Sequence, residues 1–216
     1  MLGDTDGNVI HLYELECSIQ RRNQKMIEES PSPFVKEETR QKMFSVAVEA
    51  CKKIGYYSAG TLEFMMDKEQ HFYFLEMNTR LQVEHPVTEA CTGVDLVRDM
   101  ILVASGNRLP YKQEDIEFRG AAIECRIYAE DPANNFMPSP GIIRVREAPE
   151  GRNIRLDSAA YAGFEVSLHY DPMIAKLCSW GRNRESAIAN MTRALREYKI
   201  LGIKTTIPFH LSVLHN

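Results

Sequence analysis

The chain has 216 residues, 44% hydrophobic and 26% charged, enough for one good core or two modest ones and typical of a globular protein. Its net charge of −4 leaves no electrostatic footprint for nucleic acid or an anionic membrane, and the basic clusters at 20–25 and at Arg119/Arg126 are local. No apolar run approaches membrane-spanning length, and no signal-peptide pattern follows Met1.

Met1 leads at once into strand-like sequence, which suggests a chain cut from something longer. Residues 9–17 begin as a strand after the turn signal Gly3-Asp-Thr-Asp-Gly-Asn. Residues 37–54 carry helical periodicity at Met43, Val46, Ala47, Ala50, Cys51 and Ile54, with Gly55 as the stop. The β-prone runs 61–66 and 71–76, separated by Asp67-Lys-Glu-Gln, read as a hairpin. Thr92-Gly-Val-Asp95 resembles a capping box opening a helix over 94–105, closed by Gly106.

Residues 108–118 are polar and read as a linker. Beyond them lie a strand at 121–129, a Pro-rich loop at 131–141, strands at 142–147, 154–158 and 173–180, and a helix at 185–198. The expected class is α+β, with a boundary near 106–118 dividing an α+β half from a mostly antiparallel β half. Five scattered cysteines (17, 51, 91, 125, 178) without a Cys-x-x-Cys argue against a disulfide framework or zinc site and fit reduced cytosolic thiols.

The most informative stretch is 76–84. Every even position is polar (Glu76, Asn78, Arg80, Gln82, Glu84), and the odd positions from Leu75 to Val83 are apolar except Thr79. In a strand this alternation places the polar set on one face. A hairpin turn centred between Glu69 and Gln70 sets Glu63 directly opposite Glu76, and a turn one residue earlier makes them diagonal. Either way the carboxylates share a face, roughly 5–8 Å apart at Cβ.

Two such carboxylates repel unless a cation lies between them, and with Asn78 they make an all-oxygen set suited to Mg²⁺. The alternative is a solvated strand face carrying an ion-pair ladder with Arg80. The like-charged pair and the two amides argue against that, but spacing alone leaves both readings open. His85, before Pro86, reads as a turn or packing residue.

Five segments in order resemble biotin carboxylase, an ATP-grasp ligase of the acyl-CoA and pyruvate carboxylases: Cys-Ser-Ile-Gln-Arg-Arg-Asn-Gln-Lys (17–25), Glu-Met-Asn-Thr-Arg-Leu-Gln-Val-Glu-His-Pro-Val-Thr-Glu (76–89), Glu-Cys-Arg-Ile-Tyr-Ala-Glu-Asp-Pro (124–132), Pro-Ser-Pro-Gly (138–141) and Tyr-Asp-Pro-Met-Ile-Ala-Lys-Leu (170–177). The resemblance runs the length of the chain. It implies the C-terminal part of an ATP-grasp domain at 1–110 and a biotin carboxylase C-terminal domain at 119–216. No Gly-rich phosphate-covering loop is found, so the chain looks like the back half of the enzyme, inactive alone.

By the resemblance, Glu63, Glu76 and Asn78 are Mg²⁺ (or Mn²⁺) ligands bridging ATP phosphates. Arg80, Gln82 and the Val83 backbone form a bicarbonate pocket, and Glu84 is the base that deprotonates bicarbonate on the way to carboxyphosphate. Arg126 stabilises the biotin enolate, Lys25 contacts phosphate and bicarbonate, and Asn23 stands near ATP where many members have histidine. A carboxylate is a weak base at its reference pKa near 4.3, so Glu84 needs either a raised pKa or transfer concerted with attack.

The implied partners are bicarbonate, a biotin carboxyl carrier protein or domain and a carboxyltransferase, with a homodimeric parent in the cytoplasm (or the mitochondrial matrix in a eukaryote). A non-catalytic dimerisation module is one alternative. Another ATP-grasp ligase, such as a carbamoyl-phosphate synthetase relative, is a second; it would share the Glu/Glu/Asn set but is not expected to carry Glu-Cys-Arg-Ile near 126.

Overall fold

The computed structural model describes residues 1–215. It separates into two compact units, residues 1–16 with 30–119, and residues 17–29 with 120–216. The α+β class holds, with helices beside antiparallel sheets in each unit. By compactness the first unit is interrupted, because 17–29 fall in the second.

The reason is strand pairing. Glu16–Arg21 and Gln24–Ser30 form the edge of a five-stranded sheet whose other members all come from beyond residue 120. Arg22 (φ 49°) and Asn23 (φ 64°) make the two-residue turn between them. Two successive left-handed residues are what a type I′ hairpin requires, and asparagine tolerates that backbone better than most side chains.

In the first unit, Leu2–Gly3 lies between Val9–Ile10 and Ser58–Ala59 in a small antiparallel sheet. Helix α1 (Glu37–Lys53) buries Thr39, Phe44, Ala47 and Cys51. This face is turned from the expected stripe: Val46 and Ile54 are exposed, and the ring of Phe44 takes the inward place, stacked on His11. The helix ends as expected at Gly55, in a Schellman motif: Tyr56 N donates to Cys51 O and Gly55 N to Lys52 O at a left-handed φ of 65°.

The hairpin strands are Thr61–Met66 and Phe72–Asn78. After them come α2 (His85–Thr92), which the sequence pattern does not announce, and α3 (Leu96–Ala104). The α3 cap is Asp95, whose side chain accepts from Arg98 N, so the expected box at Thr92 is displaced. Thr92 instead closes α2, which stops at Gly93 with φ 74°.

Residues 108–118 are no free linker. Leu109 and Ile116 are buried with Leu2, Ile10, Leu12 and Val103, and Asp4 and Gln113 tie the segment down through Leu109 N and His11 N.

In the second unit the sheet order is Ile154–Ser158, Met173–Gly181, Ala121–Tyr128, Gln24–Ser30, Glu16–Arg21. Helices α4 (Arg184–Glu197) and α5 (Ile207–His215) complete it. The core gathers Ile123, Cys125, Ile127, Leu177, Ala187, Met191, Ala194 and Leu195. At Gly181 a Cβ would collide with Ser186 and the Ala187 backbone, so only glycine lets the strand turn this tightly into α4. All five cysteines are free, and no helix is long and apolar enough to cross a membrane, among the described residues.

Candidate functional site

The hairpin register decides whether two of the expected residues meet. Met66 pairs with Phe72 and Phe64 with Phe74, which centres the turn on Glu69. Continued regularly, that register would put Glu63 against Leu75 and turn Glu76 to the other face. Instead the ladder shifts between Glu63 and Phe64, leaving Leu75 as the extra residue, and Glu63 pairs directly with Glu76. The turn is thus half a step from both expected centres, and a β-bulge restores the pairing.

Asn78 ends the strand on the same face as Glu76. Its Nδ2 donates to Glu63 Oε1 at 3.1 Å and to Glu76 Oε1 at 3.0 Å. Two carboxylates therefore converge on one donor, whose amide hydrogens offset part of their repulsion. Among the described residues no three His, Cys, Asp or Glu side chains form a metal-binding group. A divalent ion here would draw on two carboxylates and one amide, with phosphate and water completing its shell, a set that fits Mg²⁺.

The strand does not continue past Asn78. Residues 79–84 leave it and turn into α2, so the expected row of five on one strand is corrected: only Glu76 and Asn78 are in it. The polar side chains nonetheless gather. Gln82, 8% exposed, donates from Nε2 to Glu63 Oε1 at 2.8 Å. Arg80 stays exposed, with Nη2 3.3 Å from Asn78 Oδ1. Val83 follows Gln82 in the turn, and Glu84 is buried at the head of α2.

His85 holds that turn: Nδ1 lies 2.8 Å from Gln82 O and Nε2 3.8 Å from Glu89 Oε2. Facing a carbonyl, Nδ1 acts as the donor, and the ring pins the turn ahead of α2. Two clefts of about 450 and 290 Å³, lined around Tyr198 and Lys199 and around Asp4 and Tyr56, lie elsewhere. The cluster sits on the open hairpin face.

The remaining candidates belong to the second unit. Lys25 and Arg126 lie on neighbouring strands, Gln24–Ser30 and Ala121–Tyr128, and Tyr128 Oη donates to the Lys25 carbonyl at 3.2 Å. Asn23 is exposed in the hairpin turn, where its left-handed backbone already accounts for an asparagine. Arg126, with 11% of its side chain exposed, is held through Nε by Glu28 Oε1 at 2.5 Å. Its carbonyl accepts from Thr206 Oγ1 at 3.3 Å and from His210 Nε2 at 2.8 Å. Burial holds the His210 imidazole down to about 4. None of Glu28, Thr206 and His210 stands out in the sequence; their partner is 80 or more residues away, and no local pattern marks it.

Two family models match the chain. "Carbamoyl-phosphate synthase L chain, ATP binding domain" covers 1–112, and "Biotin carboxylase C-terminal domain" covers 124–216. The second description decides between the two ligase readings. The chain belongs to the biotin carboxylase family.

Bacillus subtilis (strain 168) biotin carboxylase 1 is 57% identical over 217 residues, which is all of this chain and 48% of that protein. The biotin carboxylase of Nostoc sp. (strain PCC 7120) is 51% identical over 216 residues, 100% of this chain and 48% of that protein. The biotin carboxylase domain dimer of Hydrogenobacter thermophilus 2-oxoglutarate carboxylase, solved with MgADP, ADP and bicarbonate, superimposes with a TM-score of 0.97 at 52% identity, over 100% of this chain and 48% of that one. The chain thus spans about half the length of the biotin carboxylase relatives it matches.

Proposed function

We propose that this chain supplies the metal, bicarbonate and biotin residues of an ATP-dependent biotin carboxylase. The reaction is the first half of an acyl-CoA or pyruvate carboxylase cycle, in which biotin on a carrier protein or domain is carboxylated before a carboxyltransferase takes over. The observation that carries this reading is the convergence of Glu63 and Glu76 on Asn78, with Gln82 and Arg80 beside them. The Hydrogenobacter thermophilus relative binds MgADP and bicarbonate as a dimer, which supports the same ligands and a dimeric parent here.

Glu63, Glu76 and Asn78 would hold Mg²⁺ or Mn²⁺, which when bound neutralises charge on the ATP phosphates. Arg80 grips planar bicarbonate through its guanidinium fork, with Gln82 and the Val83 backbone completing the seat. Glu84 takes the bicarbonate proton. The freed oxygen attacks the γ-phosphorus, the bond to ADP breaks, and ADP leaves with those electrons, giving carboxyphosphate. Lys25 contributes positive charge toward phosphate and bicarbonate. Biotin N1 then gives its proton to the departing phosphate and takes the carboxyl group of carboxyphosphate, while Arg126 offers the enolate a fixed cation, worth more in a site of low polarity than in water. The ATP contact proposed for Asn23 rests on the resemblance alone.

The test is a chimera in which this chain replaces the matching 217-residue segment of the Bacillus subtilis relative. The reading expects bicarbonate-dependent ADP release and carboxybiotin formation, both abolished by Glu84→Gln. The isolated 216-residue chain is expected to show neither. A folded chimera that forms no carboxybiotin, or an isolated chain that turns over, would contradict it.

A further inference from the structure

We propose that Glu28 is a positioning residue for Arg126, fixing the guanidinium so that its terminal nitrogens meet the biotin enolate; this rests on the role assigned to Arg126 above. Glu28 is 0% exposed and lies in the run Met26-Ile27-Glu28, buried at all three positions. A carboxylate there is costly to desolvate, and a buried ion pair is generally no more stable than well-packed apolar residues of similar size. Stability therefore does not account for Glu28. Its contact does: Oε1 meets Nε of the one arginine on the adjacent strand Ala121–Tyr128 at 2.5 Å.

The surroundings point the same way. The Arg126 carbonyl is held by Thr206 and His210, Tyr128 N donates to Thr206 Oγ1 at 3.0 Å, and Tyr128 Oη holds the Lys25 carbonyl. The backbones of Lys25 and Arg126 are thus braced by one small network, and Tyr128 also hydrogen-bonds the Arg126 guanidinium. The carboxylate on Nε is the charged member of that restraint. With Glu28 on Nε and Tyr128 also hydrogen-bonded to the guanidinium, the plane of the group is set, and one turned a few tens of degrees would meet an incoming anion wrongly.

The experiment uses the same chimera and follows two steps separately: bicarbonate-dependent ADP release without biotin, and carboxybiotin formation. Glu28→Gln is expected to lower kcat for carboxybiotin about 10–100-fold, as loss of an orienting partner commonly does, while ADP release without biotin stays within about twofold. Glu28→Asp, which keeps the charge and shortens the reach, should recover part of the loss, and carries the comparison where Glu28→Gln fails to fold. In an Arg126→Gln background the Glu28 substitution should have no further effect. Equal loss in both steps, no loss in either, or an undiminished Glu28 effect in the Arg126→Gln background overturns the proposal. An Arg126→Gln chimera that forms carboxybiotin normally overturns the Arg126 assignment itself and the proposal with it.

Discussion

Glu63 and Glu76 stand directly opposite one another across the hairpin because Leu75 is bulged out of the ladder. Like charges in that relation are destabilising, and the amides of Asn78 and Gln82 donate to the pair. Under the proposed function, the cost of the pair is offset by the divalent ion it would hold.

The first prediction follows from that cost. Glu76→Gln should raise the stability of the metal-free chain by about 0.2–1 kcal/mol, read from urea unfolding in EDTA. The same substitution should weaken divalent-ion binding. A less stable variant in EDTA would mean that the repulsion is not there.

Asn78→Asp should do the opposite. A third carboxylate beside Glu63 and Glu76 destabilises the chain in EDTA, and Mg²⁺ should restore it with a larger rise in Tm than wild type shows, since an ion that binds only the folded state stabilises by mass action. Equal Mg²⁺ responses in the two proteins would argue against an ion at this cluster.

Gln82 is buried, with its amide nitrogen on Glu63. Gln82→Glu replaces that donor with a second acceptor against a carboxylate and should cost about 1–3 kcal/mol, seen as a lower urea midpoint at unchanged slope. An unshifted midpoint would place Gln82 in a looser environment than its contacts indicate.

His210 sets a pH dependence. Burial lowers its pKa from the ordinary 6.5 to about 4, outweighing the opposing contact with the Arg126 carbonyl. The unfolded chain takes up the proton first, so the contribution is full above pH 6.5 and is lost as pH falls toward 4, by about 3 kcal/mol. His210→Gln, which can still donate to that carbonyl, should flatten this part of the profile. Parallel profiles for the two proteins from about pH 7 to 4 would refute it.

What could be read from the chain was what local rules govern. The α1 span, its Gly55 stop and the hairpin follow from periodicity and turn chemistry, and the site residues of the hairpin from their alternation. The alternation misled beyond Asn78 because a polar-apolar period of two fits a turn that gathers side chains as well as a strand that lines them up. Pro86, at the first turn of α2, is a favoured helix starter that the strand pattern obscured.

Strand Gln24–Ser30 escaped because its buried positions include Glu28, whose compensating charge is 98 residues away. The bulge at Leu75 has no glycine or proline to announce it. The resemblance to biotin carboxylase supplied the rest of the candidate site, including Lys25 and Arg126.

The most direct measurement is Mn²⁺ binding to the chimera in the presence of ADP, followed by electron paramagnetic resonance. The account predicts a nucleotide-dependent ion whose affinity falls at least about tenfold in both Glu63→Gln and Glu76→Gln, as loss of a ligand carboxylate should produce, and stays unchanged in Glu69→Gln at the turn. An ion held equally well after both substitutions would contradict it.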